Sequence, residues 1–540
     1  MKKLFLIIFC FGFSQGLNTN SNYYDRVENE IDAINNNEIS DNLFIWPVVE
    51  NIKKDYYDFF DKDNDNLNIN PVLALRYGSK GFEFNELTPY PILWISPGIR
   101  VGVNKILISS LKPLWVNGWF KFYKHSAYGL DEDLYMGNSN SINAEPLANY
   151  NPELSYGYYT KVKFPEGNGI DFDESIGAFS LLSTNFNLTF GKIRASLGPS
   201  LYSNLSLSNN MPAFNQLRLF YNHQDKIYFS FIVGDLFSNI KDEDSSIYES
   251  EDIDNDGSID YSKKPFLPRR IYNHRLDFKL SSNLRVGFYE QLIGRPNGGS
   301  LTLLNPFTFY WSEQHQSGDL DNLQIGFDFD WLIGKNRLYG GLLIDEWAPY
   351  DTFNSENHNW FATQIGISRL YSINMGYKDI SGKKWKKYLK ALLKFEYSSA
   401  EPQVYVHKFE INNASHHDYP IGLWSGGNSI DRRFNLTVFT SGLSSNYRGK
   451  EKHDPLIFDI GWHNTRVGEA IYDKEASLLS GTVKVRDVLF FEIKKDIIDS
   501  QNNDTNMDLK FKVSYYDTKN LYSEDKFLDI TTSFVYNIRN

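Results

Sequence analysis

Residues 272–290 read YNHRLDFKLSSNLRVGFYE, and the stretch raises the question of which of its two faces is wet. From Arg275 to Leu280 charged and apolar residues alternate: Arg275, Leu276, Asp277, Phe278, Lys279, Leu280. Ser281, Ser282 and Asn283 interrupt, and alternation resumes through Leu284, Arg285, Val286, Gly287 and Phe288. A period of two predicts two strands joined by a short polar turn. One face carries Leu276, Phe278, Leu280, Leu284, Val286 and Phe288; the other carries Arg275, Asp277, Lys279 and Arg285. In a soluble sandwich the apolar face would meet a second sheet. In an outer-membrane barrel it would meet lipid, and the charged face would line the lumen.

The rest of the chain favours the barrel. MKKLFLIIFCFGFSQG has a basic start in Lys2 and Lys3, an apolar core from Leu4 to Phe13, and small residues Ser14 and Gly16 before a cleavage position. That is the pattern of a secretory signal peptide over 1–16. Cys10, the single cysteine of the 540 residues, lies inside it. The mature chain is thus expected to lack disulfides and thiol metal sites. A net charge of −12 argues against nucleic acid as a partner, which would call for a basic face. No later run of 18 apolar residues predicts a spanning helix. Mean hydropathy is negative, yet 40 Phe, 35 Tyr and 11 Trp are a high aromatic load. Alternating strands, which hydropathy does not detect, reconcile the two.

Residues 17–70 read as an N-terminal helical segment. Val27, Ile31 and Ile34 recur at helical spacing, as do Val48, Ile52, Tyr56 and Phe59 after Trp46-Pro47. The segment could cap the periplasmic end, plug the lumen or pack as an appendage. Residues 71–540 read as the barrel. Clear strand patterns include Ala178–Leu182, Ile227–Val233, Gln324–Trp331, Leu338–Ile344, Gln364–Ser368, Lys390–Tyr397, Gln403–Ile411, Phe434–Thr440, Asp508–Tyr515 and Leu528–Tyr536. The expected fold is all-β, a transmembrane antiparallel barrel of about 18 strands with a short helical N-terminus. Tight turns at Ser281–Asn283 and Gly334–Asn336 contrast with long polar connections at 127–170, 238–268, 412–431 and 497–507. Short turns at one end and long loops at the other suit a barrel in the outer membrane of a Gram-negative bacterium.

Local motifs add little chemistry. In DIDNDGSID, Asp252, Asp254, Asp256 and Asp260 occupy ligand positions of a calcium loop around Gly257, but Lys263 stands where the bidentate Glu belongs. The loop reads either as a weak Ca2+ site or as a plain acidic loop. KKWKKYLK (383–390) could grip anionic groups but reads better as a solvated turn. His416-His417-Asp418 reads as a solvated loop cluster. No nucleophile elbow, HExxH or phosphate loop occurs, so an enzyme is not expected.

Six segments in order resemble the Wzi family of outer-membrane capsule assembly proteins: GPSLYSNLSLSNNMPAFNQLRL (198–219), HRLDFKLSSNLRVGFYE (274–290), LNPFTFYWSEQ (304–314), DNLQIGFDFDW (321–331), LYGGLLIDEW (338–347) and YPIGLWSGGNSID (419–431). The chain departs from the family where ASL, without a Trp, precedes Gly198, and where residues 241–260 read as an insertion. The resemblance implies a lectin-like protein that attaches or assembles capsular polysaccharide or exopolysaccharide at the cell surface, working as a monomer in contact with outer-membrane lipid. A porin or uptake channel of the same architecture is the alternative. Sugars are held by aromatic stacking and by planar polar groups. The candidates are therefore Glu290, Asn305, Glu313, Asp321, Asn322, Asp345 and Asn428 as a lumen or rim polar set, with Trp311, Trp347 and Trp424 as stacking surfaces. Each Trp reads slightly better as a membrane-interface girdle residue.

Overall fold

The computed structural model describes residues 19–40, 43–46, 66–79, 91–108, 114–128, 169–183, 185–242, 266–294, 301–349, 359–378, 384–416, 419–440, 445–447, 450–452, 456–469, 471, 473, 475–498, 505–521 and 524–538. Helix α1 (Thr19–Asn36) precedes the sheet. The strands are β1 (Asn66–Ser79), β2 (Pro91–Ile108), β3 (Leu114–Tyr128), β4 (Gly169–Ser183), β5 (Phe186–Ile193), β6 (Phe214–His223), β7 (Ile227–Lys241), β8 (Phe266–Ser281) and β9 (Leu284–Gly294). After helix α2 (Tyr310–Ser317) come β10 (Asn322–Ile333), β11 (Asn336–Asp345), β12 (Trp360–Lys378), β13 (Lys384–Ala400), β14 (Ser429–Thr440), β15 (Leu456–Val467), β16 (Lys484–Ile498), β17 (Thr505–Lys519) and β18 (Glu524–Ile538). Each pairs antiparallel with its neighbour, and β1 closes on β18 with Val72 opposite Asn537. These elements form an 18-stranded closed barrel, as expected. The first strand starts at Asn66, inside the segment read as helical.

The opening hairpin behaves as the alternation requires. Arg275, Asp277 and Arg285 are 1%, 0% and 0% exposed, whereas Leu276 and Phe288 are 37% and 53% exposed. Charges inside and large apolar groups outside is the inverse of a soluble protein. It is stable where lipid replaces water on the outer wall. The same inversion recurs on β10, where Asp328 and Asp330 are buried while Phe327 and Trp331 are exposed. The buried charges are paired. Arg275 Nη1 and Nη2 reach the two Asp328 oxygens at 2.7 and 2.6 Å, Arg275 Nε reaches Asp277 at 2.8 Å, and Arg285 also contacts Asp277. Arg337 on β11 closes on Asp330 at 2.9 and 2.6 Å. Partnered this way, the ions avoid the large cost of isolated buried charge.

Tight connections at 184–185, 224–226, 282–283 and 334–335 share one end of the barrel, which by this asymmetry faces the periplasm. The other end carries the described segments 194–213, 301–321, 346–349, 401–416, 419–428 and 475–483. Two expectations change here. Gln403–Ile411 is not a strand: β13 stops at Ala400, and the segment turns inward, burying Gln403, Val404 and Tyr405. Within 497–507, residues 497–498 belong to β16 and 505–507 to β17, because both strands run further than their alternation suggested; 499–504 lie outside the described residues.

Candidate functional site

The lumen is crossed by parts of the chain itself. Helix α1 lies at the periplasmic end, where Ile39 N donates to Ser282 O (2.8 Å) and Lys335 Nζ reaches Asn35 Oδ1 (3.1 Å). Its spacing of Val27, Ile31 and Ile34 does make a buried face. One turn presents Glu30, wholly buried, to Lys394 on β13 (2.6 Å), Ser368 on β12 (2.5 Å) and Arg337 on β11 (3.2 Å). Burial alone would push the Glu30 carboxyl up, but Lys394 and Arg337 outweigh it and hold it down at about 2. Lys390, from the basic run, stands 3.7 Å from Asp32 of the same helix, so that run serves the periplasmic end and not the outer surface.

Above α1 lies the segment 194–213, the inward-folded connection between β5 and β6. It is rich in Ser and Asn because it has little regular structure and must satisfy its own backbone with short side chains. Asn204 Oδ1 accepts from Ser200 N (2.8 Å), Asn204 Nδ2 donates to Ser196 Oγ (2.9 Å), and Asn204 N donates to Ser208 Oγ (2.5 Å). Gly198 has φ +133°, and a Cβ there would sit 2.5 Å from Asn204 Oδ1, so glycine is required. The barrel wall grips the remaining carbonyls. Arg337 binds Pro199 O (2.7 Å), Gln364 binds Ser203 O (2.7 Å) and Gln291 binds Ser206 O (3.2 Å). Ser200 Oγ donates to Glu396 (2.7 Å).

A third layer, 401–428, closes over the second. Tyr405 donates its hydroxyl to Leu205 O (2.6 Å), and Ser208 N donates to Ile421 O (2.7 Å). Arg269 clamps Ile411 O (3.1 Å), Asn413 O (2.9 Å) and Ser415 Oγ (2.8 Å). His416, expected in solvent, is buried and accepts Phe237 N through Nδ1 (3.1 Å).

The candidate residues divide among three places. Asp345, wholly buried on the inner wall, accepts from Tyr405 N (2.8 Å) and Gln324 Nε2 (2.9 Å), so it braces the third layer. Asn322 is buried at the outer end of β10, and Asp321 beside it lies across Gly294. Asn428, at φ +50°, donates to Glu469 O (2.7 Å) and Ser480 O (2.9 Å) and ties 401–428 to 468–483. Glu290 lies on the outer wall, not in the lumen. It shares the face of Leu284 and Phe288, a parity already legible in the hairpin. Its carboxylate accepts Tyr310 N (2.8 Å) and Trp311 N (2.6 Å) and pairs with His274 (2.9 Å), docking α2 against the outside of the barrel. Trp311, Trp347, Glu313 and Asn305 go with it: the two indoles pack at 5.7 Å, Glu313 is half-buried on α2 and Asn305 is exposed. With Phe307 and Phe309 exposed nearby, this group has the character of an interface girdle. Asp252, Asp254, Asp256 and Asp260 lie outside the described residues.

Trp424 alone of the candidates enters an aromatic and cationic group at the outer mouth. Its indole N–H donates to Asp431 (3.0 Å), which also holds Arg433 (2.7 Å). The Arg433 guanidinium lies 5.1 Å from the Trp424 ring and 4.9 Å from Tyr202; Arg486 lies 5.9 Å from Trp424 and 5.1 Å from Tyr516. Rings alternate with planar cations, and Trp424 and Tyr202 are only half-buried. Faces of this kind stack on sugar rings, and guanidinium donors pair with hydroxyl or carboxylate oxygens. No local pattern marks Tyr202, Arg433, Arg486 and Tyr516, which come from four separate segments.

A closed 18-stranded barrel with a lipid-facing apolar belt and a self-filled lumen defines an outer-membrane barrel of the plugged class. The family model for the capsule assembly protein Wzi matches residues 120–454, more than half of the chain, so the chain belongs to that family. Among solved structures the chain is similar to Wzi of Escherichia coli, described as a carbohydrate-binding β-barrel outer-membrane protein involved in group 1 capsule assembly. That match has 11% identity and a TM-score of 0.51, and covers 98% of this chain and 99% of that one. The structure of OccAB4 from Acinetobacter baumannii also matches, at 9% identity and a TM-score of 0.44, over 88% of this chain and 99% of that one. No curated protein sequence matches.

Proposed function

We propose that this barrel is a binding protein that attaches or assembles capsular polysaccharide at the outer surface, acting as a monomer seated in lipid, and that it is neither an enzyme nor an open channel. The observation that carries the reading is the alternation of Tyr202, Arg433, Trp424, Arg486 and Tyr516 toward the outer end, where the second and third layers of the chain's own backbone meet the wall. A transport path would have to pass through hydrogen-bonded, buried segments, whereas a holding surface needs only the mouth. Family membership supports the same reading.

The test compares a deletion strain carrying wild-type protein with one carrying Trp424→Ala, quantifying cell-bound and shed polymer separately. Loss of the stacking face should move polymer from cells to medium at constant total. Unchanged partition in both the deletion and the W424A strain would refute the reading. A stable channel-sized current from the purified wild-type barrel would instead favour the porin alternative.

A further inference from the structure

Among the described residues, the buried arginines of the inner wall have visible partners, with one exception. Arg275, Arg285, Arg337 and Arg433 face carboxylates, and Arg269 is held by backbone carbonyls and a serine hydroxyl. Arg218, on β6, is 2% exposed and has no hydrogen bond or ion pair to any described residue; its Nε is fully enclosed without an acceptor among them. The inward positions around it, Ser180, Asn187, Thr189, Phe220, Ser230 and Ile232, carry no acid.

The cross-strand register shows what converges there. Thr189 stands directly opposite Arg218, Asn187 is opposite Phe220, and Ser230 is opposite Phe220 on the other side. Asn187 and Ser230 are therefore the diagonal neighbours of Arg218 on the two flanking strands, within reach of so long a side chain. Thr189 Oγ1 donates to Asn187 Oδ1 (2.8 Å) and shares a second bond with Ser180 Oγ (2.8 Å). That turns the Asn187 amide so that its Nδ2 is left over, and Nδ2 is enclosed without an acceptor. Ser230 Oγ, 0% exposed in its residue, is likewise unpartnered. A guanidinium, an amide N–H and a hydroxyl thus stand as neighbours on one wall with no acceptor among the described residues. Buried donors without acceptors are costly, and a buried cation without a counter-charge more so.

We propose that the inner wall of β4–β7 is an oxyanion site, built from Arg218, Asn187 and Ser230, that takes one carboxylate or phosphate group. The fork of Arg218 matches two oxygens of such a group, and the two neutral donors cover the remaining lone pairs. The occupant would be a free small anion of the periplasm or the acid group of a sugar. This site is separate from the outer-mouth cluster and does not depend on the polysaccharide reading.

The test is thermal unfolding of the full barrel in neutral detergent, at constant ionic strength, titrated with inorganic phosphate, glucuronate or uncharged glucose. A ligand that binds only the folded state gives a saturable rise in unfolding temperature. A rise of at least about 2 °C with phosphate or glucuronate and none with glucose is expected. A response to phosphate alone identifies a free anion as occupant; an equal or stronger response to glucuronate identifies a sugar acid. R218M should abolish the rise. Because R218M could fail to fold, N187L and S230A provide milder variants, each raising the half-saturating concentration several-fold. Absence of any saturable rise in the wild type, or an equal rise in the Arg218, Asn187 and Ser230 variants, overturns the proposal.

Discussion

Glu30→Gln removes one negative charge from the contact between α1 and the inner wall while keeping the side chain's volume. Glu30 is the shared partner of Lys394 at 2.6 Å and Arg337 at 3.2 Å. Removing one member of a buried ion network typically costs about 3–5 kcal/mol. The low end applies, because Arg337 retains Asp330 at 2.6 Å and Lys394 remains 5.5 Å from the Tyr339 ring. Proton linkage gives a second route to the same magnitude. The Glu30 carboxyl is held at about 2 against an ordinary value of 4.5, despite burial that opposes ionisation. At about 1.4 kcal/mol per pKa unit, that difference corresponds to about 3 kcal/mol. The folded carboxyl is the stronger acid, so its contribution is fully present above pH 4.5 and is lost as pH falls through 4.5 toward 2. An energy of about 3 kcal/mol is a change of about a hundredfold in the population of undocked helix. Protease accessibility of residues 19–40 in the detergent-solubilised barrel measures it. E30Q at pH 7 should be cleaved about a hundredfold faster than wild type, and the wild type should approach the mutant as pH is lowered toward 2. Equal cleavage of the two proteins at pH 7 would show that the Glu30 network does not hold the plug.

The lipid-facing wall and the external helix give two more predictions. Phe288→Lys places a cation on the outer face, where Phe288 is 53% exposed, and should destabilise the vesicle-embedded barrel by about 2–4 kcal/mol in urea titration; an unaltered midpoint would mean that this face does not meet hydrocarbon. Glu290→Gln weakens the acceptor for Tyr310 N and Trp311 N and should loosen α2 by about 1 kcal/mol, seen as a red shift of Trp311 emission in a single-tryptophan background with the barrel's unfolding unchanged. Identical emission spectra would contradict the docking role of Glu290.

Alternation put Leu276 and Phe288 on one face and Arg275, Asp277 and Arg285 on the other, because side-chain direction in a strand has a period of two; that the apolar face meets lipid followed from the rest of the chain and from barrel closure. The same parity applies to Glu290, which was expected in the lumen or at the rim and lies on the outer face. What it could not supply was the helix N-terminus, some twenty residues along the chain, that makes a carboxylate tolerable there. Helical spacing of Val27, Ile31 and Ile34 predicted α1 but not its seat in the lumen, which depends on Lys394 and Arg337 reaching Glu30 from strands more than three hundred residues away. The Ser- and Asn-rich stretch after Gly198 had no periodicity to read. It is buried because wall residues such as Gln291, Gln364 and Arg337 accept the burden of its backbone. Trp424 was visible as an aromatic in a polar loop, but its partners Tyr202, Arg433, Arg486 and Tyr516 were not. Local pattern determines which way a residue faces across its own strand. Which segments then fold into the lumen, and which distant side chains meet there, is decided only when the barrel closes.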